Sequence, residues 1–192
     1  VQSQRTPIWL ELVQLVPVVT LALPFIVAGK TDLSHAGVSL LVAALLTLPV
    51  TGVVLWQKGV LNPILVGTAL WLWVGAAAFQ LPIASLASFL GEAQGFGLFL
   101  GVAVVGVATT FLSSDAPPPF GALARSGFIG ARHPDAGWVR RSSLILLALA
   151  FVALGCSWVL RHDIRLGGGL PFIALNVVRR VIVRRGARAS SP

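Results

Sequence analysis

Residues able to do chemistry are few in this chain. Six carboxylates, three histidines and one cysteine are spread over 192 residues. Glu11 stands out because it falls near the start of an apolar run, and a carboxylate inside a span is a functional candidate. Gln14 follows three residues later and Pro17 three after that, so all three are spaced to share one helix face. Pro17 removes an N–H and frees a carbonyl one turn earlier, which predicts a kink. A carboxylate, an amide and an open carbonyl on a kinked helix would suit proton, ion or small-substrate binding. The structural reading of Glu11 is the stronger one. It lies about one turn into its helix, where the helix N-terminus favours negative charge and water is near.

Other chemistries find less support. His35, His133 and His162 fall in loops or at span ends, and none pairs at helical spacing with another ligand. Metal, haem and pigment sites that use histidine are therefore not expected, and no cofactor is predicted. His133-Pro134-Asp135 repeats the tripeptide of J-domain co-chaperones, but glycines and an apolar span stand where that family needs a basic helix and a helical hairpin. It predicts only a local turn contact between His133 and Asp135. Gly167-Gly168-Gly169 precedes Leu170-Pro171, which offers a nucleotide neither Lys nor Ser. No serine has a nucleophile-elbow context, and no two carboxylates share a span. Arg132, His133 and Asp135 are the one set a lipid-modifying enzyme would have. The expectation is a protein without enzymatic chemistry. Cys156 has no disulfide partner and reads as a small packing residue in an apolar run.

The elements that must position these residues are membrane spans. Charged residues make up 10% of the chain, against roughly a quarter in an ordinary soluble domain. So apolar a chain belongs in lipid, and about 20 mostly apolar residues make one crossing. The predicted fold is an all-α polytopic transmembrane helix bundle of five or six spans, forming a single membrane domain over residues 1–192. The spans are expected near 8–28, 36–56, 63–81, 92–112, 142–160 and 167–183, with the last crossing rather than lying in the membrane plane. The first run lacks a small-residue cleavage site after it and reads as a span, not a signal peptide. Thr47 and Thr51 flank Pro49 and are expected to satisfy the carbonyl it frees. Asn62 and Pro63 read as cap and first position of the third span. Gly97 and Gly101 form a small-xxx-small pair that predicts a helix-packing seam.

Between spans four and five lies a polar interval, residues 113–141, holding Arg125, Arg132, Arg140 and Arg141 against Asp115 and Asp135. The chain ends in a basic tail over residues 184–192. Arginine and lysine bias sets orientation. With both termini inside, Arg5, Lys58, the loop arginines and Arg179, Arg180, Arg184, Arg185 and Arg188 all lie inside, leaving Lys30, Arg161 and Arg165 outside. The net charge of +8 is thus a membrane-protein pattern that faces anionic lipid. Arg179, Arg180, Arg184, Arg185 and Arg188 are the expected lipid-binding residues. A nucleic-acid partner is not expected, because no basic face carries polar or aromatic readers. Abundant Ala, Gly, Val, Leu and Arg with only two Lys suggest a GC-rich bacterial source and a cytoplasmic-membrane location.

Leu15-Val16-Pro17, then Phe25, Lys30, Asp32 and Ala36, an apolar span, Lys58, and the run from Leu65 to Gly75 resemble the start of intracellular septation protein A-like inner-membrane proteins. Trp138-Val139-Arg140-Arg141 is similar to that family's Trp and basic residues before its penultimate hydrophobic region. Leu21 and Ala22 replace an aromatic pair usual there, and Gly29 replaces a tyrosine. The resemblance implies a polytopic protein that supports envelope or division machinery through contacts with lipids and other membrane proteins. It implies no catalytic residues. The alternative expectation is a small transporter or channel that uses Glu11, Gln14 and the proline-kinked helices.

Overall fold

Two of the helices begin at side chains that cap them. The computed structural model describes residues 8–20, 33–57, 60–81, 88, 94–111, 125–131, 133–160 and 165–189. Asn62 adopts an extended backbone and its side chain accepts from the Ile64 N–H at 3.2 Å, with proline at the first helical position. This is the cap that the Asn-Pro pair predicts. Asp135 does the same further on, accepting from the N–H groups of Gly137 at 2.8 Å and Trp138 at 3.2 Å.

The described elements are α1 (Ile8–Val13), α2 (Leu33–Trp56), α3 (Pro63–Gln80), α4 (Gln94–Phe111), α5 (Ala136–Val159), a π-helical turn (Arg165–Gly169) and α6 (Leu170–Ala189). No strand occurs among the described residues, so the fold is an all-α helical bundle. Four segments are long and apolar enough to cross a membrane: Gly37–Trp56, Pro63–Gln80, Ala136–Val159 and Leu166–Gly186. Gly95–Phe111 is a shorter apolar helix. The molecule has the architecture of a multi-pass membrane protein.

Burial supports this. Val152, Val159 and Ile173 point outward at 61–75% exposure, while Gln14, Thr68 and Ser157 are buried. Apolar outside and polar within suits a bundle surrounded by hydrocarbon. Helices adjacent in sequence pack on one another, α2 on α3, α3 on α4, α4 on α5 and α5 on α6. The main core gathers Phe99, Phe128, Ile129, Leu146 and Phe172 among others, and a smaller one joins Ala43 and Ala44 to Leu72 and Ala76.

Several boundaries differ from the sequence reading. The first span is interrupted: α1 ends at Val13, Gln14 and Leu15 form a turn, and residues 16–20 are helical again. The break falls one turn before Pro17, which has no N–H to give to Val13. The rest of that predicted span, residues 21–28, lies outside the described residues. α2 starts at Leu33, three residues early, and keeps Pro49 inside it. The Thr47 hydroxyl donates to Ala44 O at 2.6 Å rather than to the carbonyl of Leu45 that Pro49 frees. Register explains this, because helical Ser and Thr bond back three or four residues and Leu45 is only two away. α5 starts at Ala136, so its first turns lie inside the interval read as a loop. At 24 residues it runs about 36 Å, longer than the ~30 Å hydrocarbon layer. The exposed Arg140 and Arg141 lie in its first two turns.

The last span is expected from 167, and the chain already winds helically from Arg165 into α6. The glycines there allow close backbone approach. A methyl group on Gly167 would sit 2.6 Å from Leu160 O, and one on Gly95 would sit 3.1 Å from Gly167 O.

The alternation of directions defines two ends. The starts of α3 and α5, the 125–131 loop and the close of α6 share one end, where Trp138 packs against Gly186 and Gly130 against Pro63. Arg140, Arg141, Arg184 and Arg185 are exposed there. The π-helical turn, the start of α4 and the close of α5 share the other, where Phe96 meets Trp158 edge-on at 5.0 Å.

Candidate functional site

The first helix breaks at Gln14 and Leu15, where the Leu15 N–H donates to Leu12 O at 3.0 Å instead of one residue further back. The Gln14 side chain is 6% exposed. Gln14 Nε2 donates to Leu10 O at 3.3 Å, and Gln14 Oε1 accepts the backbone N–H of Asn62 at 3.0 Å. Asn62 Oδ1 is spent on the α3 cap, and its Nδ2 donates to Asn176 Oδ1 at 3.2 Å. Asn176 Nδ2 in turn donates to Phe172 O at 3.0 Å. One chain of amide hydrogen bonds therefore ties the broken first helix to the α3 cap and to the middle of α6. In a low-dielectric interior each unmade bond of this kind would leave a costly orphan group.

Arg179 extends the arrangement. It is 5% exposed, and it donates from Nε to Ile129 O at 2.8 Å and from Nη2 to Gly130 O at 3.2 Å. Gly127 and Gly130 have φ of 57° and 60°, a conformation other residues adopt at a cost, and it turns these carbonyls toward α6. Ser143 Oγ accepts the Ile129 N–H at 3.4 Å from the other side. This corrects the sequence reading of Arg179 as a lipid-headgroup residue. Its guanidinium serves loop carbonyls inside the protein. Arg180 lines a cavity, Arg184 and Arg185 are exposed, and Arg188 lies in α6 with its side chain outside the described residues.

Two cavities flank Gln14. One of about 180 Å³ lies between the broken helix and α6, with Asn62, Asn176, Arg179 and Arg180 at its polar part. The other, about 130 Å³, lies toward α2 and α3, and Pro17, Thr47, Thr51 and Thr68 line it. Both share Gln14, Asn62 and Leu65. Glu11 lies in α1 one turn before Gln14, and its side chain is outside the described residues.

The other sequence candidates sit apart. Gly97 and Gly101 face α3. A methyl group on Gly97 would overlap the Trp71 indole, and one on Gly101 would overlap Gly67 O. These two glycines form a packing seam. Trp71 and Trp73, unusual at mid-span, are explained by their neighbours: Trp71 fills the hollow at Gly97, and Trp73 Nε1 donates to Thr47 Oγ1 at 3.1 Å. Asp135 is spent on its cap, and the Asp135 N–H donates to His133 Nδ1 at 3.1 Å. The His133 ring lies 4.3 Å from Trp138. His133 and Asp135 therefore belong to a helix start, and Arg132 lies outside the described residues. Cys156 is exposed rather than packed, because α5 turns Leu146, Ala150, Ala153 and Ser157 inward. Among the described residues no three His, Cys, Asp or Glu side chains group as a metal site. Sequence reasoning missed Asn62 and Asn176 as partners. Their signal was a polar residue in each of two apolar contexts, without any sign that the two meet.

No family model, no curated protein and no solved structure matches this chain.

Proposed function

We propose that this protein is a non-enzymatic scaffold of the bacterial cytoplasmic membrane, akin to the septation protein A-like group, that supports envelope or division machinery through protein and lipid contacts. The observation that supports this reading is the joining of four segments at one end. Gln14, Asn62, Asn176 and Arg179 spend their polar atoms on one another and on backbone groups. The same end displays Arg140, Arg141, Arg184 and Arg185. A rigid end with an exposed basic surface suits docking onto anionic headgroups and acidic partner segments. Both termini and the basic loop are cytoplasmic in this reading, as arginine bias requires.

The test replaces Arg140, Arg141, Arg184 and Arg185 with Gln in the full chain and follows envelope integrity and the proteins retained in mild detergent. A scaffold loses its retained partners at unchanged membrane levels. Full envelope integrity and an unchanged partner set would refute it.

The paired cavities meeting at Gln14 beside a broken helix favour a second reading, a small carrier. Glu11→Gln separates the two. A scaffold tolerates it at a cost near or below about 1 kcal/mol, whereas a carrier loses flux into liposomes with its fold intact.

A further inference from the structure

The cavity between the broken helix and α6 has a gradient along its wall. Ile173, Asn176, Val177 and Arg180 line it from α6, at spacings of three and four that put them on one face. Opposite stand Leu15 and the Asn62 cap. From Ile173 to Arg180 the wall changes from apolar to cationic over roughly 10 Å of helix rise. Ile173 and Val177 are more than half exposed, so the apolar part opens sideways to the bundle exterior. The polar part lies toward the end that carries the exposed arginines. A soluble metabolite would have no use for an apolar wall open to hydrocarbon, and a bare acyl chain would have none for Arg180 and two amides.

From this arrangement we infer that the cleft holds one anionic phospholipid, with its phosphodiester at Arg180 and at the second N–H of the Asn62 and Asn176 amides, whose first N–H is already used within the protein, and an acyl chain along Ile173 and Val177. A guanidinium engages phosphate oxygens in a fork geometry, and Asn176 stands one turn away to orient the headgroup. The inference rests on reading the basic end as a membrane interface and narrows it from a diffuse charge effect to a single site. Arg184 and Arg185 are not among the cleft residues and supply only general attraction.

Native mass spectrometry of the full-length protein, titrated with phosphatidylglycerol or phosphatidylcholine, tests this. One phosphatidylglycerol should be retained at least tenfold more strongly than phosphatidylcholine. Arg180→Gln and Val177→Trp should each weaken that single-lipid occupancy about tenfold, the first by removing the cation and the second by filling the apolar part. Arg184→Gln combined with Arg185→Gln should change it less than twofold. Val177 is 52% exposed, so its replacement leaves the interior packing in place; Ile173→Trp fills the same space should one variant misfold. Equal loss in the Arg184/Arg185 pair with no loss in Val177→Trp would overturn the site. Displacement by glycerol phosphate at the potency of the lipid would overturn the lipid as ligand. Since the readout is lipid retention by purified protein, its failure leaves the scaffold reading to be judged by envelope integrity alone.

Discussion

Gly67 and Gly101 face each other across the α3–α4 contact, close enough that a methyl group on Gly67 would lie 2.5 Å from Val102 Cα and 2.7 Å from Gly101 O. Four residues along each helix, in opposite directions, Trp71 meets Gly97. The two helices thus run antiparallel with a fixed register, set by one small-on-small contact and one large-on-small contact. In lipid, where apolar side chains gain little by leaving the solvent, such close packing is a main source of helix association.

Gly67→Ala should therefore force α3 and α4 apart and destabilise the protein by about 1–3 kcal/mol, the usual range for overpacking. Gly155→Ala is the control. Nothing lies within 4 Å of a methyl group there, so the gain in helix propensity should leave stability unchanged or raised by up to about 1 kcal/mol. Thermal unfolding of both variants in one detergent measures the difference. Equal shifts would remove the seam from the account of stability.

Asn62 supplies a helix cap and two links in the amide chain. Asn62→Ala should cost about 1–2 kcal/mol, mostly from the cap. Asn176→Leu should cost less, because hydrogen bonds between membrane helices average about 0.6 kcal/mol. A double-mutant cycle on the pair should give a coupling of that same order. Additive losses would mean that the 3.2 Å contact between their side chains contributes nothing of its own.

The helical fold was legible because long apolar runs have one low-energy form in lipid, and the Asn62-Pro63 cap was legible because capping is local. The start of α5 was misplaced because hydropathy begins at Ser142 while the cap, Asp135, lies seven residues earlier in polar sequence. The site was legible only in part. Gln14 drew attention through its spacing to Glu11 and Pro17. Asn62 and Asn176 meet across 114 residues, and a pairing so distant leaves no periodic trace in one sequence. Arg179 read like its neighbours, since what separates it from Arg184 is a loop carbonyl pair aimed by positive-φ glycines, a tertiary fact.

That difference between arginines can be measured. Arg179→Leu removes a charge-assisted donor from two carbonyls and should destabilise the protein by about 1.5–3 kcal/mol. Arg179→Lys should recover little, because a single ammonium cannot reproduce the fork. Arg184→Gln, at an exposed position, should stay within about 0.5 kcal/mol of the parent. The comparison requires only melting curves, and a mild effect at position 179 would return that residue to the group of surface arginines.

Orientation is the remaining consequence of the two ends. Trp138 against Gly186 fixes the start of α5 beside the close of α6, so Arg140, Arg141, Arg184 and Arg185 must lie on the same side of the membrane. Positive residues near spans stay on the cytoplasmic side, so that side should be the basic end, and Gln80 at the close of α3 should face out. Cys156 is exposed and must first be changed to Ser so that it does not report. In that background, Gln80→Cys should react with an impermeant thiol reagent in whole cells, whereas Arg184→Cys should react only after the membrane is opened. The second variant keeps three of the four exposed arginines at the basic end, so the bias that sets topology survives the substitution. Labelling at 184 in intact cells with protection at 80 would invert the protein and place the lipid cleft in the opposite leaflet. Labelling at both positions in intact cells would contradict the pairing of α5 with α6 as well as the orientation.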